Sequence, residues 1–171
     1  MHIYIFGSIC RGEYTHNSDI DLLACIEENT SHEFDISKFS IYQYTRLKEL
    51  WEEGNPFAWH LYLESKLVYS SDGNDHLRDL GQPNLYLGFK EDFKKFKELY
   101  NESAKEFLEK KNITFNLSCM FLAVRNIATC YSLKIGNPVF SRYSPYAIKL
   151  PIKLNKNVFS ILERARILAT R

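Results

Sequence analysis

Five residues near the start of the chain are of the types that bind phosphate and hard cations. They lie in Gly7-Ser8-Ile9-Cys10-Arg11-Gly12-Glu13-Tyr14-Thr15-His16-Asn17-Ser18-Asp19-Ile20-Asp21-Leu22-Leu23. Gly7 lets the backbone turn sharply and come close to a ligand. Ser8 offers a hydroxyl, and the N–H groups after it can point at phosphate oxygens. Arg11 can reach the same oxygens with a planar fork of donors. Asp19 and Asp21 are two apart, so on a strand both leave one face. Side by side they repel unless a cation sits between them, and Mg²⁺ favours carboxylates together with phosphate oxygens. Two such ions roughly 4 Å apart can activate an attacking oxygen and steady a leaving pyrophosphate. Asp-x-Asp also occurs on solvated strand faces, and a lone glycine is often only a turn.

These residues need elements to hold them. Residues 2–6 are β-branched and aromatic and stop at Gly7, which predicts a strand. Residues 7–18 read as a turn or short helix with a loop. Residues 19–26 read as a second strand, with Ile20, Leu22 and Leu23 in the core. Residues 38–44 read as a third strand. A helix capped by Thr45 is expected through Leu50 and Trp51, then a break at Gly54-Asn55-Pro56. A second helix spans 57–63, and a brief fourth strand spans 66–69. Residues 74–88 are rich in punctuating residues and mark a boundary. Beyond it Phe89, Phe93, Phe96, Tyr100, Phe107 and Leu108 recur at helical spacing. Residues 114–133 form a buried helix ended by Gly136-Asn137-Pro138, and 155–170 a last amphipathic helix with Asn155 as its cap.

The whole is therefore α+β: a small mixed sheet with flanking helices over residues 1–80, then an α-helical bundle over 81–171. The 171 residues are 45% hydrophobic and 15% aromatic, enough for a sizeable core and unlike a disordered chain. With 22 basic and 21 acidic residues the net charge is +1, which argues against a surface dedicated to nucleic acid or membrane. Cys10, Cys25, Cys119 and Cys130 form no C-x-x-C pair and read as reduced thiols. No signal peptide is visible, and no run of ~18 apolar residues predicts a membrane span. The expectation is a cytoplasmic protein without a membrane partner.

The combination Gly-Ser, Arg-Gly, then Ser-Asp-x-Asp followed by aliphatic residues resembles the minimal nucleotidyltransferases of the DNA-polymerase-beta-like superfamily. The motif covers residues 5–23, and the strand order extends the resemblance to about residue 70. It implies that Gly7 and Ser8 hold a nucleoside triphosphate, and that Asp19 and Asp21 are catalytic and bind Mg²⁺ or Mn²⁺. Arg11 joins Gly7 and Ser8 as a nucleotide-binding residue. The implied reaction moves a nucleoside monophosphate, with AMP from ATP the commonest case, to an acceptor hydroxyl or amine. The acceptor is open: small molecule, RNA or protein.

Two departures qualify the resemblance. A third carboxylate is usual on the next strand, as metal ligand or general base. In the matching register, Ser40-Ile41-Tyr42-Gln43-Tyr44-Thr45-Arg46-Leu47, that position holds Ser40. Asp35 and Glu64 are the candidate substitutes, against readings as a loop carboxylate and a helix-end surface residue. Family members also usually have a helix before the first strand, which here would leave one sheet edge or apolar face less covered. A nucleotide-binding module without catalysis, acting as a partner or antitoxin-like protein, is the alternative.

The fusion to a bundle is similar to kanamycin-type aminoglycoside nucleotidyltransferases and to the pairing of minimal nucleotidyltransferases with HEPN domains. HEPN ribonucleases carry a histidine about six residues after an arginine. Arg125-Asn126 begins such a pattern, but Tyr131 stands at the histidine position, so ribonuclease activity is not expected. Lys134, Arg142, Lys149 and Lys153 are candidates for a basic rim. An exposed apolar face on the bundle would favour a homodimer.

Overall fold

A computed structural model describes residues 1–13, 20–27, 38–148 and 155–169. Asp19, Asp35, Lys149 and Lys153 lie outside the described residues. The chain divides into two compact units, Met1–Leu87 and Gly88–Arg171.

The first unit is built on strands β1 (His2–Phe6), β2 (Asp21–Ile26), β3 (Phe39–Gln43) and β4 (Ser65–Ser70) in the order β3-β2-β1-β4. β1 runs antiparallel to both β2 and β4, and β2 runs parallel to β3. The sheet is thus mixed, as the sequence leads one to expect. Tyr4 and Phe6 of β1 share a face with Leu23 and Cys25 of β2. Against that face pack Leu47, Leu50 and Trp51 of α1 (Tyr44–Glu52) and Ala58 and Leu61 of α2 (Pro56–Glu64). The spacing 47, 50, 51 is a helical stripe, and each of the three is buried. Leu77 of the short α3 (His76–Asp79) completes the core.

Some local expectations need correcting. Ile20 is 60% exposed, because β2 begins at Asp21 and Phe6↔Asp21 is the last pair of the ladder. Thr45 is not a cap. Gln43, the last residue of β3, precedes the helix in extended conformation with no side-chain bond. The strand itself supplies the extended geometry a cap requires. α2 does carry a side-chain cap: Asn55 Oδ1 accepts from Phe57 N at 2.9 Å, with Pro56 in the first turn.

The first unit ends at Leu87, beyond residue 80, because residues 81–87 are strapped to α1 and α2. Trp51 Nε1 donates to Gly81 O at 2.8 Å and Trp59 Nε1 to Asn84 O at 3.0 Å. Asn84 N bonds Trp51 O, and Asn84 Nδ2 bonds Glu52 O. Pro83 and Tyr86 are buried. The strap lies so close that a Cβ on Gly54 would stand 2.5 Å from the carbonyl oxygens of Asn84 and Leu85.

The second unit comprises α4 (Phe89–Leu108), α5 (Ile113–Lys134), α6 (Ser144–Ala147) and α7 (Lys156–Ala169). On α4 the stripe runs 89, 93, 96, 100, 103, 107. Leu108 falls one residue, about 100°, off it and is 79% exposed. α5 packs against α4, α6 and α7. By length and composition it could cross a membrane, contrary to the sequence expectation. Here it is the central helix of its unit, and it buries Asn116, Ser118, Thr129 and Ser132 among its apolar residues. Ser144 Oγ donates to Arg125 O, and Val139 N donates to Ser132 Oγ, which ties the segment after α5 back onto it. Asn155 Oδ1 caps α7 through Asn157 N at 2.9 Å. α7 buries Phe159, Leu162 and Ala165 and exposes Val158, Ile161 and Leu168.

Candidate active site

β1 delivers the chain to Gly7 at one end of the sheet. Gly7 is buried with φ +79°, a region L-residues rarely adopt. The chain then makes a compact turn, closed by Gly12 N to Ile9 O at 3.1 Å and Glu13 N to Ser8 O at 2.9 Å. The turn is pinned to the sheet by Gly7 N donating to Glu64 O at 3.1 Å. Ser8 and Arg11 are partly buried in it.

Asp21 opens β2 opposite Phe6 and is exposed. Its carboxylate folds over the glycine. A Cβ placed on Gly7 would lie 2.7 Å from Asp21 Oδ2. The predicted turn and the predicted carboxylate are therefore neighbours, and the glycine is required both by its backbone angle and by this approach.

β3 runs alongside β2 with Leu23↔Ser40 in register. Leu23 and Asp21 share a face, so Ser40 shares it as well. Ser40 is exposed there, and no carboxylate of β3 stands on that face. Glu64 is held elsewhere. It ends α2 with 15% exposure and pairs with Arg11 Nη1 and with His60 Nε2, the latter at 3.0 Å. Burial pushes the Glu64 carboxyl up, but the hydrogen bond from His60 and the charge of Arg11 outweigh it, so it titrates below its usual range. Among the described residues no group of three His, Cys, Asp or Glu side chains is arranged to hold a metal ion.

Arg11, expected to face phosphate, has its guanidinium between two carboxylates. Nε donates to Glu13 Oε2 at 3.0 Å and Nη1 to Glu64 Oε2. His60 stacks edge-on against Phe6, with ring centroids 5.7 Å apart. Neither His60 nor the pairing role of Glu64 is visible in sequence, because the contact spans 53 residues. The i,i+4 spacing of His60 and Glu64 on one helix is the only local signal.

The candidate residues of the helical unit are engaged in packing. Lys134 Nζ lies 4.5 Å from the centroid of the Phe89 ring, and Arg142 pairs with Glu163 at 3.7 Å. Arg125 Nη2 donates to Phe140 O at 3.3 Å. Tyr131, at the HEPN histidine position, packs edge-on against Phe89.

Residues 1–74 match the family model described as polymerase beta, nucleotidyltransferase. That span holds the whole four-stranded sheet, the Gly7 turn, Asp21 and α1 and α2. The match suggests nucleotidyl transfer in general for this part of the chain, and a helical region follows it. Among curated proteins none matches the chain.

Proposed function

We propose that the nucleotidyltransferase domain of residues 1–74 transfers a nucleoside monophosphate, AMP from ATP, to an acceptor hydroxyl or amine in a metal-dependent reaction. The observation that carries this is the Asp21 carboxylate lying against Gly7 at the mouth of the turn. A carboxylate beside a phosphate-binding backbone is the pairing that the reaction requires.

In this reading the backbone N–H groups of the Gly7-Ser8 turn and the Ser8 hydroxyl bind the triphosphate, and Arg11 offsets part of its charge. Asp19 and Asp21 hold Mg²⁺ or Mn²⁺. The donor set fits such an ion: Asp21 is an exposed hard oxygen donor, whereas burial raises the Cys10 thiol, which donates to Ile5 O. When bound, the metal supplies charge neutralisation on the phosphates. The acceptor oxygen or nitrogen attacks the α-phosphorus, the bond to the β-phosphate oxygen breaks, and pyrophosphate leaves. Ser40 is no base at neutral pH, so the acceptor proton does not pass to it. The test is transfer from labelled ATP, with Mg²⁺, to panels of small-molecule, RNA and protein acceptors. Transfer that persists in Asp19→Ala/Asp21→Ala would sink this assignment.

Ser40 supports a second reading, a module that binds nucleotide without turning it over. Calorimetric binding of Mg²⁺ and ATP without product from any acceptor would favour it.

A further inference from the structure

The pairing of Arg11 with Glu64 has a structural role beyond offsetting charge. Glu64 touches the turn twice: its backbone carbonyl accepts from Gly7 N, and its side chain grips Arg11. The next residue, Ser65, pairs with Phe6 across the β1–β4 ladder. One residue thus sets both the height of the phosphate-binding backbone and the direction of the nearest guanidinium. All three side chains of the cluster are largely withdrawn from solvent, at 18% for Arg11 and 15% for both His60 and Glu64. In such a place an ion pair is geometrically strict and screened little by salt. His60 is itself fixed, since its ring stands edge-on to Phe6, the residue before Gly7. The two carboxylates take Nε and Nη1 of the guanidinium, and among the described residues Nη2 is the donor nitrogen that neither of them occupies.

We propose that Glu64, steered by His60, is a positioning residue that holds the Arg11 guanidinium beside the Gly7-Ser8 turn so that it meets the nucleotide phosphates already oriented. This rests on the turn being the nucleotide site. Arginine carries a large side-chain entropy, and a clamp that removes it beforehand strengthens binding. The sign of the effect separates this from a simple charge effect. A carboxylate near a polyanion repels it, so neutralising Glu64 should tighten binding if charge were all that mattered. If Glu64 positions Arg11, the same change weakens it.

The experiment is calorimetry of the full chain with Mg²⁺ and the non-transferable analogue α,β-methylene-ATP. Glu64→Gln is expected to weaken binding about tenfold, Arg11→Ala by at least as much, and the double variant by no more than Arg11→Ala. Thermal melts identify any variant that fails to fold. Glu64→Asp keeps the charge but withdraws it by one methylene, and it should weaken binding as Glu64→Gln does. Binding unchanged or tighter in a folded Glu64→Gln or Glu64→Asp overturns the proposal, as do losses that multiply in the double variant. If the unmodified chain itself binds no analogue, the nucleotide-site reading falls and takes this proposal with it.

Discussion

Replacing Gly7 by alanine tests the site at its tightest point. Two separate costs can be worked out. The first is conformational: at φ +79° a residue with a Cβ loses roughly 1–2 kcal/mol relative to glycine. The second is steric. The new Cβ would stand 2.7 Å from Asp21 Oδ2, so that oxygen must retreat to at least 3.4 Å, the ordinary contact distance. Asp21 is exposed and opens its strand, so the retreat should cost little stability. Stability therefore falls by about the first term alone. For a domain of this size that lowers the melting temperature by about 5–15 °C. The functional cost is larger, because misplacing a site group by about 1 Å can cost ~10²-fold in rate. Urea and thermal unfolding read the first effect, and transfer from labelled ATP reads the second. In the Asp21→Ala background the close approach is removed, and Gly7→Ala should cost its conformational term alone in unfolding. A Gly7→Ala protein with the melting temperature and nucleotide affinity of the parent would refute the reasoning.

Other expectations follow from single contacts. Tyr4 is 1% exposed, and its hydroxyl accepts from the buried Leu77 N and donates to Asp75 Oδ1. Tyr4→Phe orphans that N–H and should cost about 1–3 kcal/mol in urea unfolding; a neutral result would mean that the N–H finds another acceptor. His76 has a buried Nε2 with no hydrogen-bond partner among the described residues. Burial, then the nearby His2, lowers its pKa below 6.5 against the opposing pull of Asp79, Asp72 and Asp75. The unfolded chain therefore takes up this proton first. The stability is fully present above pH 6.5 and is lost as pH falls through and below it. Unfolding at pH 7.5, 6 and 5 should show this slope in the parent and a flatter one in His76→Leu, and equal slopes would contradict the assignment. Ser40→Asp places a carboxylate on the face of Asp21 and should raise Mg²⁺ affinity and transfer. Unchanged values in a folded variant would show that this position does not limit either.

What the chain discloses by itself is mostly what short-range chemistry decides. Gly7, the end of the first strand, the Asn155 cap and the central helix follow from period, turn residues and side-chain length. The misjudged residues are those whose state depends on a distant neighbour. Ile20 belongs to an apolar run but lies beyond its ladder partner. Thr45 is a good cap that the preceding strand makes unnecessary. α3 is only four residues long, and its cap Asp75 is hidden among Ser70, Ser71, Asp72 and Gly73. At the site, Asp21 beside Gly7 is suggested by a strand–turn–strand pattern. The clamp of Glu64 and His60 on Arg11 exists only once α2 has returned the chain to β1, and the i,i+4 spacing of His60 and Glu64 is its one local trace.

The strap of residues 81–87 also determines where the protein can be cut. Both indole N–H groups of the first unit find their acceptors in Gly81 and Asn84. A fragment that stops at residue 80, where composition alone would place the boundary, deprives both indoles of their acceptors. It should express as an unstable species. A fragment that ends at Leu87 keeps every one of these bonds. Limited proteolysis should find the same seam, sparing 81–84 and entering at the exposed leucines 85 and 87, which stand 72% and 77% accessible. Any recombination of this domain with a different helical partner would have to carry the strap along with it.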